Sequence, residues 1–306
     1  MHYFVAVAQE GSLSRAAARL HMSQPPLTRH MKALEKELGI ALFARTPKGV
    51  ELTSAGQALL EEAPNVLALA RRAADRARRA GQGMLGQLDV GTFGSGVLNV
   101  IPALLARFRR SRPDVTIRLH NMTKLEQIQA LRERRIAIGF NRLVPDEPDL
   151  VAETVLRERF LVGMPQGHRL CRKRHVTIRD LDSEPMILYP NIPMAGLAQE
   201  VIGAFLREGV RIVIEQEVED AVTCIALVAN GFGLCVTTES AANLRLAGVE
   251  FRPLQSDSLK DIELACLYRR GDESPVLQAF LAIARDASTI PLRRAEGSAT
   301  RTTNLS

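Results

Sequence analysis

The segment from Ser12 to Gly39 constrains this chain more than any other, because its pattern predicts two short helices joined by a tight turn. Read at helical spacing, apolar side chains fall on one face of each helix, on either side of the polar turn His21-Met22. Ser23 is a good N-cap for the second helix, the two prolines after it fit a first helical turn, and Gly39 suits the C-terminal end. This pattern is typical of a helix-turn-helix. Its second helix carries an apolar stripe of Leu27, Met31, Leu34 and Leu38.

The polar side chains between the stripe residues suit contacts with duplex DNA. Arg29 can donate two hydrogen bonds to guanine, and Gln24 can pair with adenine in the same way. Thr28 offers a methyl group or a hydroxyl, and Lys32 suits a phosphate. The alternative is an ordinary amphipathic helix with a solvated polar face, because helix pairs joined by a turn occur in many all-α folds.

The segment after the second helix predicts a wing, a small β-hairpin with a charged tip. Residues 47–49 make the turn, and Val50 and Leu52 return as a short strand. The tip would reach phosphates or the minor groove, and a solvated charged turn is the alternative. Together with the second helix, the wing gives the predicted DNA-contacting residues: Ser23, Gln24, Pro25, Thr28, Arg29, Lys32, Arg45, Thr46 and Lys48.

Positive charge is concentrated at the amino-terminal end. Residues 1–85 hold 12 Lys and Arg against 7 Asp and Glu, whereas the remaining residues hold 28 against 27. That asymmetry is typical of a polyanion-binding module attached to a neutral domain.

The four cysteines are scattered without a zinc or disulfide spacing, so we expect no metal and no cofactor. No apolar run approaches the ~18 residues that span a bilayer and no secretory signal is evident, so we expect no membrane partner and a cytoplasmic protein.

A long helix is predicted from Thr53 to about Gly81. Its seam steps by four and three residues through Leu59, Ala63, Val66, Ala70, Ala73, Ala77 and Ala80. Such a heptad pattern favours close pairing with a second copy, and packing within its own domain is the alternative. Pro64 should kink or split this helix. Gly81, Gly83 and Gly86 mark the predicted domain boundary.

From Gln87 onward, strand and helix patterns alternate. This alternation predicts an α/β domain with a mostly parallel sheet. The predicted strands are 87–93, 115–121, 136–142, 159–165, 186–190, 212–218 and 232–237, followed by two more near 249–254 and 262–270. The predicted helices are 97–111, 125–134, about 197–208, 220–230 and about 275–287.

With these parts in this order, the chain resembles the LysR-type transcriptional regulators. The resemblance rests on YFVAVAQEGSLSRAAARLHMSQPPLTRHMKALEKELGIALFART, HNMTKLEQIQAL, IAIGFNR, the ILYP strand and the VEDAV to LVANGFG stretch. It covers Met1 to about Ala287 and is strongest for the branch that controls catechol and chlorocatechol degradation in bacteria.

The resemblance implies an α/β fold with an all-α winged helix-turn-helix N-terminal domain. Its effector domain would consist of two Rossmann-like lobes, similar to periplasmic binding proteins. The implied organisation is a winged helix-turn-helix over 1–53, a linker and dimerisation helix over 54–85, an effector domain over 86–290 and a disordered tail over 291–306. Lobe I would comprise about 86–157 and 264–290, and lobe II about 158–263.

The resemblance also implies how such a protein works. Homodimers formed through the linker helix would assemble into homotetramers, bend promoter DNA and activate transcription by RNA polymerase. The inducer would be a small carboxylate such as muconate or chloromuconate, held between the lobes. It would close the cleft and relax the DNA bend. The implied effector-binding residues are Ser95, Gly96, Thr123, Lys124, Arg142 and Leu197. From the residues alone, Ser95 could equally be a plain N-cap and Arg142 a surface ion pair.

Two departures and two rival classes qualify this interpretation. Gly196-Leu197 stands where the branch commonly has Ser-Phe or Asn-Phe, so another pathway and another effector are the alternative. Thr238 stands where relatives often have proline.

An α/β enzyme is disfavoured, since Gly91, Gly94 and Gly96 do not match a G-x-G-x-x-G spacing and no catalytic constellation is evident. A solute-binding protein would need an export signal.

Overall fold

The computed structural model describes residues 1–47, 49–189 and 196–286. Lys48 of the predicted wing tip and the predicted tail 291–306 lie outside the described residues. The chain divides into two compact units, Met1–Arg79 and Ala80–Ser306. Within the described residues, no helix is both long and apolar enough to cross a membrane.

The first unit contains the predicted helix-turn-helix and wing. Its elements, in chain order, are α1 (His2–Glu10), α2 (Leu13–Arg19), α3 (Gln24–Leu38), β1 (Phe43–Thr46), β2 (Gly49–Leu52) and α4 (Ser54–Gly81). The Ser12 hydroxyl accepts a hydrogen bond from the backbone N–H of Arg15 and caps α2. A turn with His21 at φ 52° separates α2 from α3, and Gly39 ends α3 in the left-handed conformation at φ 70°.

A small apolar core fixes these elements. Its fully buried members are Phe4, Val7, Ala16, Ala17, Leu27, Met31, Leu42 and Ala63. The predicted stripe on α3 is therefore only partly confirmed. Leu38 was predicted to lie on it, but its side chain is 48% exposed because the last turn of α3 runs past the packed core.

Glu35 on α3 connects the recognition helix to the wing. Its carboxylate accepts hydrogen bonds from the backbone N–H groups of Leu42 at 2.8 Å and Phe43 at 3.2 Å. The hairpin β1–β2 is antiparallel, with Phe43 opposite Leu52 and Thr46 opposite Gly49. Glu35 thus fixes the backbone at the point where the wing begins.

Helix α4 is one continuous helix of 28 residues with Pro64 inside it. Of the two predicted effects of Pro64, a split of the helix was wrong, because a proline removes only one backbone hydrogen bond and the helix continues on both sides. The kink at Pro64 stays a prediction. The hydroxyl of Thr53 caps its start by accepting from the N–H of Gly56 at 3.0 Å. Beyond Ala63 the seam is exposed, with Val66 at 47%.

The second unit has two lobes, and we call lobe I the part built on a five-stranded sheet. Its strands are β3 (Gly86–Thr92), β4 (Val115–Asn121), β5 (Ile138–Arg142), β6 (Leu150–Glu158) and, late in the chain, β13 (Ile262–Arg269). The sheet order is β4-β3-β5-β13-β6. The helices of lobe I are α5 (Val100–Ser111), α6 (Lys124–Arg132) and α10 (Pro275–Arg285).

Lobe II is the part between β6 and β13. Its strands are β7 (Phe160–Pro165), β8 (Val176–Thr177), β9 (Pro185–Leu188), β10 (Val213–Glu217), β11 (Cys235–Thr238) and β12 (Val249–Gln255). They form a four-stranded sheet in the order β11-β7-β12-β8 and a parallel pair of β9 with β10. Its helices are α7 (Leu197–Arg207), α8 (Ala221–Ala229) and α9 (Glu239–Ala242).

The expectation of mostly parallel sheets was right for one part of the unit only. Strands β3, β4 and β5 are parallel, but β13 runs antiparallel to both β5 and β6. In lobe II, β7 pairs antiparallel with both β11 and β12. Neighbouring strands that are not joined by a crossover helix need not be parallel, and the chain returns to lobe I through β13 in the opposite direction.

Further elements differ from the sequence-based expectation. Strand β6 and the short strand β8 were not predicted, and α5 begins at Val100 because residues 94–98 form a separate 3-10 turn. The chain passes between the lobes at residue 159 and again over residues 256–261. Both crossings lie close to the predicted ones. Each lobe has its own apolar core, with Phe108, Phe140 and Phe280 in lobe I and Phe205 in lobe II.

Candidate nucleic-acid interface and effector site

Helix α3 presents a polar and cationic surface. Ser23, Gln24, Pro25, Arg29 and Lys32 are exposed, and Thr28 is half-buried. Within the described part of the chain, neither Arg29 nor Lys32 forms an ion pair or side-chain hydrogen bond. The hydroxyl of Ser23 makes no capping hydrogen bond. The side chains of Ser23, Arg29 and Lys32 are therefore free to bind a partner in solution.

Two of the predicted contacts on α3 already have partners. The side-chain oxygen of Gln24 accepts a hydrogen bond from the Ser14 hydroxyl at 2.9 Å, which fixes the amide against α2. The Thr28 hydroxyl donates to the backbone oxygen of Gln24 at 3.1 Å. The amide nitrogen of Gln24 and the methyl group of Thr28 are thus the groups left for base contacts.

The three predicted wing residues differ in how accessible they are. Arg45 is exposed and suits a phosphate. The hydroxyl of Thr46 is buried and has no hydrogen-bond partner among the described residues, so in this conformation it cannot donate to DNA. Lys48 lies outside the described residues.

Ser95 lies where the two lobes of the second unit meet. It is 6% exposed, in the 3-10 turn that follows β3, and its hydroxyl oxygen is 3.2 Å from the hydroxyl oxygen of Thr238 at the end of β11. Gly96 is buried beside it. A Cβ at that position would come within about 3.1 Å of the side chains of Leu264 and Ile101, so the turn packs closely on lobe I.

Arg142 ends β5 and lies in a buried ionic network. Its guanidinium forms an ion pair with Glu158, whose side chain is 1% exposed. Glu158 also accepts hydrogen bonds from the backbone N–H and the hydroxyl of Ser240 in lobe II. The second terminal nitrogen of Arg142, Nη1, is buried and has no hydrogen-bond partner among the described residues.

Tyr189 and Thr237 form a second buried polar pair in lobe II. Tyr189 is 3% exposed and its hydroxyl hydrogen-bonds to Thr237, the residue next to Thr238. Burial raises the pKa of Tyr189 well above its usual value, and the nearby positive charge of Arg142 acts in the opposite direction. This part of the second unit thus has two separate hydroxyl pairs, Ser95 with Thr238 and Tyr189 with Thr237, and the charge of Arg142 acts on Tyr189.

Thr123 and Lys124 begin α6, as the resemblance implied, but both have structural partners. Thr123 and Glu126 form a capping box, in which the backbone N–H of Thr123 donates to the Glu126 carboxylate at 2.7 Å. Lys124 is 4% exposed, and its ammonium group donates to the backbone oxygen of Leu143 at 2.7 Å. Burial lowers the pKa of Lys124.

Leu197 begins α7 and is 6% exposed in the apolar core of lobe II. Residues 190–195, which precede it, lie outside the described residues. The side chain that replaces the usual polar or aromatic pair is therefore an apolar core residue.

Sequence reasoning missed Glu158, the ion-pair partner of Arg142, and the polar side chains Ser240 and Tyr189. Glu158, Ser240 and Tyr189 were not singled out, because a lone acidic or hydroxyl residue in a strand has no spacing that marks it. Asn243 was also missed, and its side chain donates to the backbone oxygen of Leu98 across the lobe boundary at 3.1 Å. Among the residues that the structure describes, no group of acidic, Cys and His residues could hold a metal ion.

Comparison with protein families matches both units. Residues 1–57 match the bacterial regulatory helix-turn-helix proteins of the lysR family, and residues 81–289 match the LysR substrate binding domain. The HTH-type transcriptional regulator TfdS of Cupriavidus pinatubonensis is 39% identical over 285 residues, which are 93% of this chain and 96% of that protein.

Solved structures give the same result. The full-length LysR family regulator CbnR, bound to its target DNA, superposes with a TM-score of 0.80 and 34% identity, over 94% of this chain and 97% of that one. The effector-binding domain of BenM with its effector benzoate matches 66% of this chain and 91% of that domain, with a TM-score of 0.59 and 25% identity.

These findings confirm the predicted fold class and the prediction of a DNA-binding regulator rather than an enzyme. The family models together cover nearly all of the described residues, and TfdS is similar along almost its whole length. This chain belongs to the LysR family of transcriptional regulators.

Proposed function

We propose that this protein activates an operon for aromatic degradation, of the catechol or chlorocatechol kind, in response to a small carboxylate such as muconate or chloromuconate. Because its target is promoter DNA, the proposed place of action is the cytoplasm. The proposal is supported by the resemblance to the regulators of that branch. It is also supported by the relative BenM, whose effector benzoate is itself a carboxylate.

The observation that carries the proposal is the buried and unpaired Nη1 of Arg142. A buried donor without a partner costs about 1–3 kcal/mol, and more for a charged group. A carboxylate oxygen placed at Nη1 would remove that cost through a charge-assisted hydrogen bond. Glu158 already neutralises one side of the guanidinium, so the remaining nitrogen suits one further anionic oxygen.

The other end of a small dicarboxylate would be bound near Ser95. Among the described residues, the Ser95 hydroxyl is paired only with the Thr238 hydroxyl, and a hydroxyl can donate to one group while accepting from another. Ser95 follows β3 and Arg142 ends β5, and these two strands are parallel neighbours, so both residues lie at the carboxyl edge of the sheet, where open α/β sheets bind ligands. Thr123 and Lys124 would act indirectly, by fixing the start of α6 and by adding positive charge.

The proposed self-association uses the exposed seam of α4. Glu62, Leu69 and Arg76 share one flank of that seam at seven-residue spacing, and Leu69 is 61% exposed. In an antiparallel pair centred near Leu69, Glu62 of one copy faces Arg76 of the other, whereas a parallel pair would place Glu62 opposite Leu67 and Arg76 opposite Gly81. Charge complementarity therefore favours an antiparallel homodimer. A homotetramer that bends DNA and engages RNA polymerase remains part of the proposal by analogy with the family.

A binding titration tests the effector assignment. Calorimetry would compare cis,cis-muconate with its uncharged dimethyl ester, on the wild-type protein, on Arg142→Met and on the exposed control Arg157→Met. We expect muconate to bind the wild type and the control alike, and to bind Arg142→Met at least about tenfold more weakly. Equal affinity for Arg142→Met would overturn the role of Arg142.

A regulator of another pathway is the second candidate. It is favoured by Leu197, which is an apolar core residue where the branch carries a polar or aromatic pair. Tighter binding of the uncharged ester than of muconate itself would support this candidate.

A further inference from the structure

A basic loop on lobe II has no role in the function described so far. It connects β7 to β8 and includes four successive exposed residues, Arg172, Lys173, Arg174 and His175. Arg169 precedes them and Arg179 follows shortly after, both exposed. The chain beyond residue 85 is nearly neutral as a whole, so this loop is a local concentration of positive charge.

Three carboxylates near the loop are paired with cations, and Glu184 also lies 3.6 Å from the ring of His168. Glu184 pairs with Arg169 at 2.5 Å, Asp180 with Lys173 at 2.5 Å, and Glu250 with Arg252 at 2.8 Å. Arg172, Arg174 and Arg179 have no side-chain hydrogen bond or ion pair with any residue in the described ranges. The loop therefore has two arginines whose charge is not neutralised locally, and Arg179 just beyond β8 is a third.

The backbone of the loop is held in place rather than left free. Arg252 on β12 donates to the backbone oxygen of Cys171 at 2.6 and 3.1 Å, and to that of Lys173 at 3.1 Å. Leu170 anchors the preceding 3-10 turn in the core of lobe II with 1% exposure. A fixed backbone lowers the entropy lost when the exposed arginines bind a partner.

The composition of the surface favours phosphates over a protein partner. Protein interfaces place apolar and aromatic anchors at their centre. In the described residues of the loop and of the flanking strands β7 and β8, no large apolar side chain is exposed. Arginine is also the side chain best matched to phosphate oxygens, which it binds through two parallel hydrogen bonds.

We infer that the loop Arg169–His175 is a second contact for the phosphate backbone of DNA, independent of sequence and separate from the helix-turn-helix. The inference goes beyond the proposed inducer response and depends only on the protein binding DNA. Through this loop the effector domain would contact promoter DNA directly. Any change in the placement of lobe II would then change the path of the DNA.

The test uses the full-length protein and a random-sequence duplex, with binding measured by fluorescence anisotropy over a range of salt concentrations. The variants are R172E/R174E, its neutral form R172Q/R174Q, and the control R118E/R134E. The control reverses two exposed arginines of lobe I and so alters net charge equally. Denaturation midpoints establish that each variant is folded.

We expect R172E/R174E to lose about tenfold or more in affinity at low salt, and R172Q/R174Q to lose less. For each phosphate contact removed, the negative slope of the logarithm of the association constant against the logarithm of the salt concentration should become shallower by about 0.9. The control should keep the wild-type slope. Wild-type affinity and slope in R172E/R174E would overturn the inference. Unchanged DNA binding with reduced transcription would overturn it too, and would assign the loop to an acidic protein. A wild-type protein that binds no duplex would instead contradict DNA binding itself.

Discussion

Glu158 occupies one side of the Arg142 guanidinium, and the opposite nitrogen of Arg142 is buried without a partner in the described part of the chain. The same carboxylate accepts from the backbone N–H of Ser240 at 2.5 Å, so one side chain joins the end of β5 in lobe I to α9 in lobe II. The residue proposed to bind the inducer is therefore coupled to the contact between the lobes.

The buried Arg142–Glu158 pair should be important for stability. In Glu158→Gln the charge of Arg142 is left buried and unpaired, and breaking such a pair costs about 3–5 kcal/mol. We expect the free energy of unfolding, measured by urea denaturation, to fall by a large part of that amount. The matched control is Glu263→Gln, which breaks the exposed pair with Arg157 and should cost about 1 kcal/mol or less. Equal losses in the two variants would show that burial does not distinguish these pairs.

Induction should depend on Arg142 while binding to the promoter does not. We expect Arg142→Ala to abolish the response of a promoter reporter to muconate, because the guanidinium that would hold the carboxylate is gone. Operator affinity of the purified variant should match that of the wild type. A variant that responds normally to muconate would remove Arg142 from the inducer site.

Arg29 should read a base. Replacing it with alanine should cost about 1–3 kcal/mol in operator binding and relax the preference at one base pair. The control is Lys36→Ala, an exposed cation in the last turn of the same helix. Binding to a set of single-base operator variants provides the measurement. If Arg29→Ala lost affinity for operator and random DNA equally, Arg29 would be a phosphate contact only.

An exchange of charge between Glu62 and Arg76 tests whether the two α4 helices of the dimer pair in antiparallel directions. We expect Glu62→Arg to weaken the dimer several-fold, about 1 kcal/mol, because two arginines then face each other at each end of the pair. The double variant E62R/R76E should restore the wild-type dissociation constant, measured by analytical ultracentrifugation. No restoration would contradict an antiparallel pair centred near Leu69.

Glu126 should make stability depend on pH. The pKa of Glu126 is lowered, first by the hydrogen bond from the backbone N–H of Thr123 and then by that from the Thr123 hydroxyl. Because the folded pKa lies below the unfolded one, the stabilisation is present above the usual carboxyl pKa and is lost as pH falls through the folded value. The difference in denaturation midpoint between the wild type and Glu126→Gln should therefore exist at neutral pH and disappear in acid. A difference that persists in acid would contradict this origin.

The parts of this protein that depend on local pattern could be predicted from the sequence. Helix α3, its glycine end and the wing follow from spacing and capping residues near one another in the chain. The continuity of α4 through Pro64 could not be predicted, because it depends on the balance between one missing hydrogen bond and all the others. The antiparallel direction of β13 could not be predicted either, because it depends on how the chain re-enters lobe I from lobe II.

The candidate effector site was predictable only in part. Ser95 and Arg142 follow strands, and the resemblance assigned them roles. Glu158 and Ser240 are separated by 82 positions in the chain, so no local pattern links them. The burial of the Thr46 hydroxyl is likewise a consequence of packing and not of sequence pattern.

A nuclease footprint on the DNA upstream of this gene, with and without cis,cis-muconate and its chlorinated forms, tests the central claim most directly. The account predicts a long footprint with a hypersensitive step, which marks bent DNA, and it predicts that one of these compounds shortens the footprint. A footprint that no muconate alters would contradict the proposed effector, and the absence of any footprint would contradict the account as a whole.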